Sequence, residues 1–145
     1  MVRRSIRLRK RRTFSSARSS FEDVGVTAFK GAARLLTNKD YLEAAAGVLA
    51  VEAYHAGNIR VNVFNLGSEA RGIAQKISNV RQSLSGADDD QGVVGPEVRA
   101  NIVPTSLNGL AYSRSARQVL NIVYGAQGAT KGLFLPNGLN GPITS

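Results

Sequence analysis

The sequence has 145 residues, enough for one domain, and 43% of them are hydrophobic, which favours a packed core over wholesale disorder. It contains no cysteine and one histidine. Disulfide bonds, thiolate metal sites and any site that needs two histidines from one copy of the chain are therefore excluded.

The net charge of +9 is concentrated at the N-terminus, where eight of the 19 Lys and Arg residues occur without an acid. The other eleven are nearly balanced by ten Asp and Glu. We therefore predict that residues 1–20 form a basic disordered or leader segment, separate from a folded domain at 21–143. Its Arg- and Ser-rich composition loosely matches an organellar transit peptide. The basic residues are Arg3, Arg4, Arg7, Arg9, Lys10, Arg11, Arg12 and Arg18.

This basic segment has a second interpretation, contact with the phosphates of nucleic acid or with an anionic membrane. No aromatic residues alternate with its charges to stack on bases, so we do not expect nucleic acid to be the partner. The sequence contains no run of about 18 apolar residues, and it therefore predicts no transmembrane segment.

Apolar residues at intervals of three and four predict a helix from residue 21, and Thr37 with Asp40 resembles a capping box for the next helix. That next helix is predicted over 38–65, with Gly67 as its stop, and another over 68–84. The expected apolar face of the first is Phe21, Val24, Ala28, Ala32 and Leu35. That of the second is Leu42, Ala45, Leu49, Glu52, Ala56 and Ile59, and that of the third is Ile73, Ile77, Val80 and Leu84.

The rest of the sequence is less regular. Residues 86–112 are rich in turn signals and predict a long surface connection. A short amphipathic helix is expected from Ser113, as its cap, to Tyr124, and the Gly-, Asn- and Pro-rich residues 132–145 should be irregular.

Glu52 and His55 are three residues apart on the predicted second helix, so both project from nearly the same face. A carboxylate on an apolar face is costly unless it is paired or binds a metal, and Glu-x-x-His is the spacing found in di-iron and di-manganese bundle proteins. Glu22, on the preceding helix, is the candidate for the additional single carboxylate.

Each of these residues also has a purely structural interpretation. Glu52 could pair with Arg60 or Arg34, His55 could be a satisfied core residue, and Glu22 could favour the positive end of its helix.

Three blocks in order resemble a ferritin-like family related to plant desiccation-related proteins. They are residues 21–33 with 42–60 (including the run Val-Glu-Ala-Tyr-His-Ala-Gly-Asn), residues 112–124, and residues 134–141. The resemblance covers about 21–143 and implies an all-α, ferritin-like helical bundle. It further implies that Glu22, Glu52 and His55 are metal ligands, in a family without a settled reaction.

Members of that family have two more helices upstream, which contribute a Glu and another Glu-x-x-His. The expected fold is therefore a bundle truncated to its second helix pair, a third helix, a short C-terminal helix and an irregular tail. Three outcomes stay open: a truncated or mis-started gene product without a working site, a two-fold dimer that rebuilds the centre, and weak binding of one metal ion.

The expected function is that of a stress- or desiccation-related, ferritin-like protein with half of a dimetal carboxylate site. It is not expected to be catalytically competent as a monomer. Iron or manganese is expected only if a partner chain completes the site, and a homodimer would cover the exposed apolar helix face. The alternative is a non-catalytic scaffold that uses its basic N-terminus on anionic partners.

Overall fold

The structure is a computed structural model, and it describes residues 21–144 of the chain. The basic segment at 1–20, with its predicted disorder or leader function, lies outside the described residues. Within 21–144 the regular structure is helical, and the pairing is limited to two isolated bridges, so the all-α prediction is confirmed.

The first two helices form the predicted antiparallel hairpin. Helix α1 includes residues 21–33, and α2 spans Lys39–Asn65 after a five-residue connection. The side chain of Asn38 caps α2 by accepting hydrogen bonds from the backbone N–H groups of Asp40 and Tyr41. The predicted capping box at Thr37 is therefore wrong by one residue, because the Asn38 amide oxygen reaches these N–H groups directly.

Helix α3 spans Ser68–Ser85 and follows α2 almost without interruption, with Leu66 as the C-cap of α2. Helix α4 spans Ala116–Tyr124 and packs on α3. Its cap is Ser115, which forms a capping box with Gln118, so the predicted cap at Ser113 is wrong. Ser115 is the cap because the Gln118 side chain, three residues later, accepts a hydrogen bond from the backbone N–H of Ser115.

The predicted buried faces are confirmed on α2 and only in part on α1 and α3. On α2 the predicted face is buried or half-buried throughout, whereas most other positions before residue 56 are exposed. On α1, Val24 and Ala28 are buried or half-buried, but Ala32 is exposed and Asp23 and Thr27 are buried. On α3, only Val80 of the predicted face is exposed, and the fully buried positions are Ala70, Ala74, Ser78, Arg81 and Ser85.

A small aliphatic core lies where α2, α3 and the following connection meet. It contains Val63, Ala70, Ala74 and Val93, with Ile59 and others packed against it. Val93 belongs to the 86–115 connection, so that segment is not the surface loop expected from its turn signals. The connection contains a short 3-10 turn at Pro96–Val98, and its buried polar groups are bonded to the helices (below).

Residues 132–144 are irregular, as predicted, and they return to the hairpin. The rings of Phe21 and Phe134 pack edge to face with centroids 4.8 Å apart. None of the helices in the part of the chain that the structure describes is long and apolar enough to cross a membrane.

Candidate metal centre

The three predicted ligands are neighbours across the α1–α2 hairpin. The antiparallel arrangement brings the start of α1 beside the middle of α2, so that Glu22 Oε2 lies 3.5 Å from Nδ1 of His55. The carboxyl group of Glu22 also lies close enough to Glu52 to raise the pKa of Glu52. The pair of residues on α2 and the single carboxylate on α1 are therefore brought together by the fold.

Gly25 allows Glu52 to lie against α1. A Cβ atom at Gly25 would be only 2.6 Å from Oε2 of Glu52, closer than real Cβ contacts. A larger residue one turn after Glu22 would push the Glu52 carboxylate away from it. The small residue thus determines how close the two carboxylates come.

The neighbouring Glu22 and His55 affect the ionisation of Glu52. Burial raises the pKa of Glu52 above its ordinary value, the hydrogen bond and charge repulsion from Glu22 raise it further, and His55 acts in the opposite direction. Oε2 of Glu22 is buried and makes no hydrogen bond within the described residues. A cation between these groups would relieve both the repulsion and the unsatisfied oxygen.

The donor types fit iron or manganese, but the single-chain arrangement does not hold a metal ion. Two carboxylates and one imidazole are the hard-oxygen and nitrogen ligands that carboxylate-bridged centres use. Yet across residues 21–144 no group of three or more His, Cys, Asp or Glu side chains is arranged to hold a metal ion. His55 is also 60% exposed, so one coordination side faces solvent.

The alternative in which Glu52 pairs with an arginine fails for Arg60, one of the two arginines considered. Arg60 points to the other side of α2, where it donates to Asp23 and to backbone carbonyls of the 86–115 connection. The alternative in which His55 is a satisfied core residue also fails, because His55 is exposed.

A buried ionic network next to this site was missed from the sequence. We define it as Arg60, Arg81 and Arg114 with Asp23, Asp89 and Asp90. Arg81 bridges Asp23 and Asp90, and Arg114 binds Asp89 and Asp90 while also donating to Thr27. Three positive and three negative side chains thus neutralise one another, which makes their burial tolerable.

The network could not be recognised from spacing. Asp89 and Asp90 lie in a run of three aspartates that resembles a solvent-exposed turn. Asp23 and Arg81, which are 3.1 Å apart, are separated by 58 positions in the sequence. The only available signal was that Arg60 and Arg81 lie on helices with no acidic residue three or four positions away.

Residues 5–65 match the family model described as the ferritin-like domain. This range contains Glu22, Glu52 and His55, covers less than half of the chain, and begins inside the segment expected to be separate from the folded domain. No curated protein and no solved structure matches the chain. The all-helical architecture and the matched range together are consistent with a ferritin-like helical bundle.

Proposed function

We propose that this chain is a ferritin-like, desiccation- or stress-related protein that carries half of a dimetal carboxylate site and completes it by pairing with a second copy. The observation that carries the proposal is the contact of Glu22 with both Glu52 and His55. The match to the ferritin-like domain supports the same ligands, because all three fall within it.

The surface around the half-site supports a partner on this side of α2. Tyr41, Val48 and Val51 are 68%, 42% and 52% exposed, and at 100° per residue they lie on the same side of the helix as His55. An apolar surface beside half-buried carboxylates is typical of an interface. A two-fold axis through it would bring two copies of each ligand together.

In the paired state, Glu52 would bridge two ions, His55 would be a terminal ligand and Glu22 would complete the ligand set. Iron or manganese bound there would supply reactivity toward dioxygen or peroxide. In the single chain, the exposed imidazole leaves the site open to water.

Metal loading of the purified chain tests the proposal. The protein is incubated with Fe(II) without oxygen, or with Mn(II), and its metal content and mass are then measured by mass spectrometry and light scattering. We expect about one ion per chain and a metal-dependent shift to the dimer. His55→Ala should lose both, whereas Glu43→Ala, on an exposed position of the same helix, should lose neither.

Metal content far below one ion per dimer, with no change on His55→Ala, would refute the metal site. Metal binding by a particle that remains monomeric would refute the pairing. The stress-related part is tested separately, by asking whether transcription of the gene rises on drying of the source cells.

The alternative function uses the N-terminal basic residues. Their concentration in residues 1–18, against a nearly neutral remainder, favours binding to a polyanion. Nucleic-acid binding that weakens steeply with salt, and that disappears when residues 1–18 are deleted, would support this scaffold function. A metal-loading result unaffected by that deletion would separate the two functions.

A further inference from the structure

A second feature of the hairpin lies away from the side of α2 that carries His55. A cavity of about 380 Å³, partly open to solvent, lies between α1, α2 and the 86–115 connection. It exceeds the roughly 150 Å³ that allows an apolar protein cavity to bind benzene, and it falls in the range of small-molecule sites.

The walls of the cavity are mainly aliphatic or small, with two tyrosine rings, Tyr54 and Tyr112. Val26 contributes from α1, Ala50 and Ala53 from α2, and Ile102 and Pro104 from the connection. None of these aliphatic side chains carries a charge or a hydrogen-bonding group. A ligand in contact with them gains free energy mainly by burying its own apolar surface.

The floor of the cavity contains charged side chains, but these are already bound to one another and to backbone carbonyls. Arg60 donates to Asp23 and to the backbone carbonyls of Asn101, Gln91 and Gly92. Arg114 donates through Nε and both terminal nitrogens to the side chains of the ionic network and Thr27. Two arginines and three aspartates of the network line the floor, and Arg81 behind it pairs with Asp23 and Asp90, so the network as a whole offers no net charge to attract an ionic ligand.

The cavity is distinct from the metal half-site. Ala53 and His55 are two positions apart, which places them about 160° apart around α2. A second copy that covers the His55 side would leave Ala53 uncovered, although Tyr54, which also lines the cavity, lies 100° from both residues. This separation lets the two proposals fail independently.

We propose that this cavity binds an uncharged, mainly apolar small molecule. The neutral network excludes a preference for carboxylates, phosphates or ammonium groups, and the aliphatic walls supply the attraction. The ionic network holds the connection against the hairpin, so the cavity is formed before the ligand arrives and little ordering cost is incurred on binding.

Nile red, a neutral apolar dye, is the probe for the full chain. We expect its fluorescence to rise on binding, with one site per chain and without a change in mass by light scattering. Hexanol should displace the dye, and hexanoate and hexylammonium, which have the same chain length, should displace it at least about tenfold less effectively.

Substitutions locate the dye. Ala53→Leu fills the cavity and should weaken dye binding at least about tenfold. Ala46→Leu is the matched control, since Ala46 lies two turns earlier on the same side of α2, is exposed and does not line the cavity. Ala111→Leu fills the cavity from the connection and replaces Ala53→Leu if circular dichroism shows that the latter is poorly folded.

Equal dye binding by the wild type and both cavity-filling variants would overturn the proposal, because the dye would then lie on the exposed apolar face. Equal displacement by hexanoate would also overturn it. If Ala53→Leu abolishes a dimer instead of dye binding, the occupant of the cavity is the second copy and the small-molecule proposal is refuted. If His55→Ala loses metal binding but still binds the dye, the small-molecule proposal is supported independently of the metal site.

Discussion

Arg60 on α2 donates from Nη1 to Oδ2 of Asp23 on α1 over 2.9 Å, and 1% and 7% of the two side chains are exposed. The same guanidinium group binds backbone carbonyls of the 86–115 connection. One side chain therefore joins three segments of the chain. In a protein with a small aliphatic core, such a contact makes folding depend on correctly paired charges.

Removing this arginine should be severely destabilising. Arg60→Ala leaves the Asp23 carboxylate buried with fewer partners and several carbonyls without donors, which costs about 3–5 kcal/mol. Urea unfolding followed by circular dichroism measures the loss. Arg99→Ala is the control, because Arg99 pairs with Glu97 on the surface and such pairs contribute about 0–1 kcal/mol. Equal losses for the two variants would contradict this role of Arg60.

The ionic network should also make the fold sensitive to acid. Burial tends to raise the pKa of Asp90, but hydrogen bonds and charge attraction from Arg81, with bonds from Ser78 and Arg114, hold it below its ordinary value of 3.8. The folded state therefore binds the proton less readily than the unfolded state. The stabilisation is complete above pH 3.8 and is lost as the pH falls through the lower pKa of the folded protein.

Asp90→Asn tests this dependence. It should destabilise the protein by about 3–5 kcal/mol at neutral pH and flatten the decline in stability below pH 3.8. Asp88→Asn, a change at an exposed neighbour, should retain the wild-type acid profile. The measurement is the unfolding free energy between pH 2 and 7, obtained by urea titration. Parallel pH profiles for wild type and Asp90→Asn would contradict the role of Asp90 in acid sensitivity.

The elements of this fold were easier to predict than the contacts between them. The α2 face that includes Glu52 follows from a 3–4 periodicity, since one helix determines it alone. The contact of Glu22 with His55 does not follow from one helix, because two helices must be correctly paired to produce it. The fully buried positions of α3 were missed because Ser78, Arg81 and Ser85 are buried by partners in the connection, which no local period encodes.

The candidate ligand Glu52 should reduce stability while it remains without metal. Burial and the neighbouring Glu22 raise its pKa above the ordinary value of 4.5, so the folded state retains a proton that the unfolded state releases. Folding is therefore penalised as the pH rises through this range, and the penalty persists at neutral pH. Such a cost is expected if Glu52 is retained for the proposed metal site.

Glu52→Gln should accordingly stabilise the metal-free protein at pH 7, by less than about 1 kcal/mol because the site is partly solvated. The gain should vanish below pH 4.5, where the carboxyl group of the wild type is protonated in both states. Glu43→Gln, at an exposed position of α2, should show no such pH-dependent gain. Thermal unfolding at pH 4 and pH 7 compares them, and destabilisation by Glu52→Gln at pH 7 would contradict the prediction.

Gly31 marks the point where the segment before α4 crosses α1. Arg114 donates its backbone N–H to the carbonyl of Thr27, and a Cβ atom at Gly31 would overlap the carbonyl oxygen of Arg114. The backbone cannot move away without weakening the bonds that Arg114 makes to Asp89 and Thr27. The absence of a side chain at this position therefore allows the ionic network to close over the hairpin.

Gly31→Ala should destabilise the protein by about 1–3 kcal/mol, the usual cost of overpacking. Gly47→Ala is the matched control, since Gly47 lies within α2 and a Cβ atom there meets nothing within 4 Å. That change should stabilise by about 0.5–1 kcal/mol, because alanine restricts the unfolded chain and favours the helix. If the two variants change the free energy of urea unfolding in opposite directions, the crossing at Arg114, and not helix propensity, requires glycine at position 31. A stabilising Gly31→Ala would show that the segment before α4 does not approach α1 so closely.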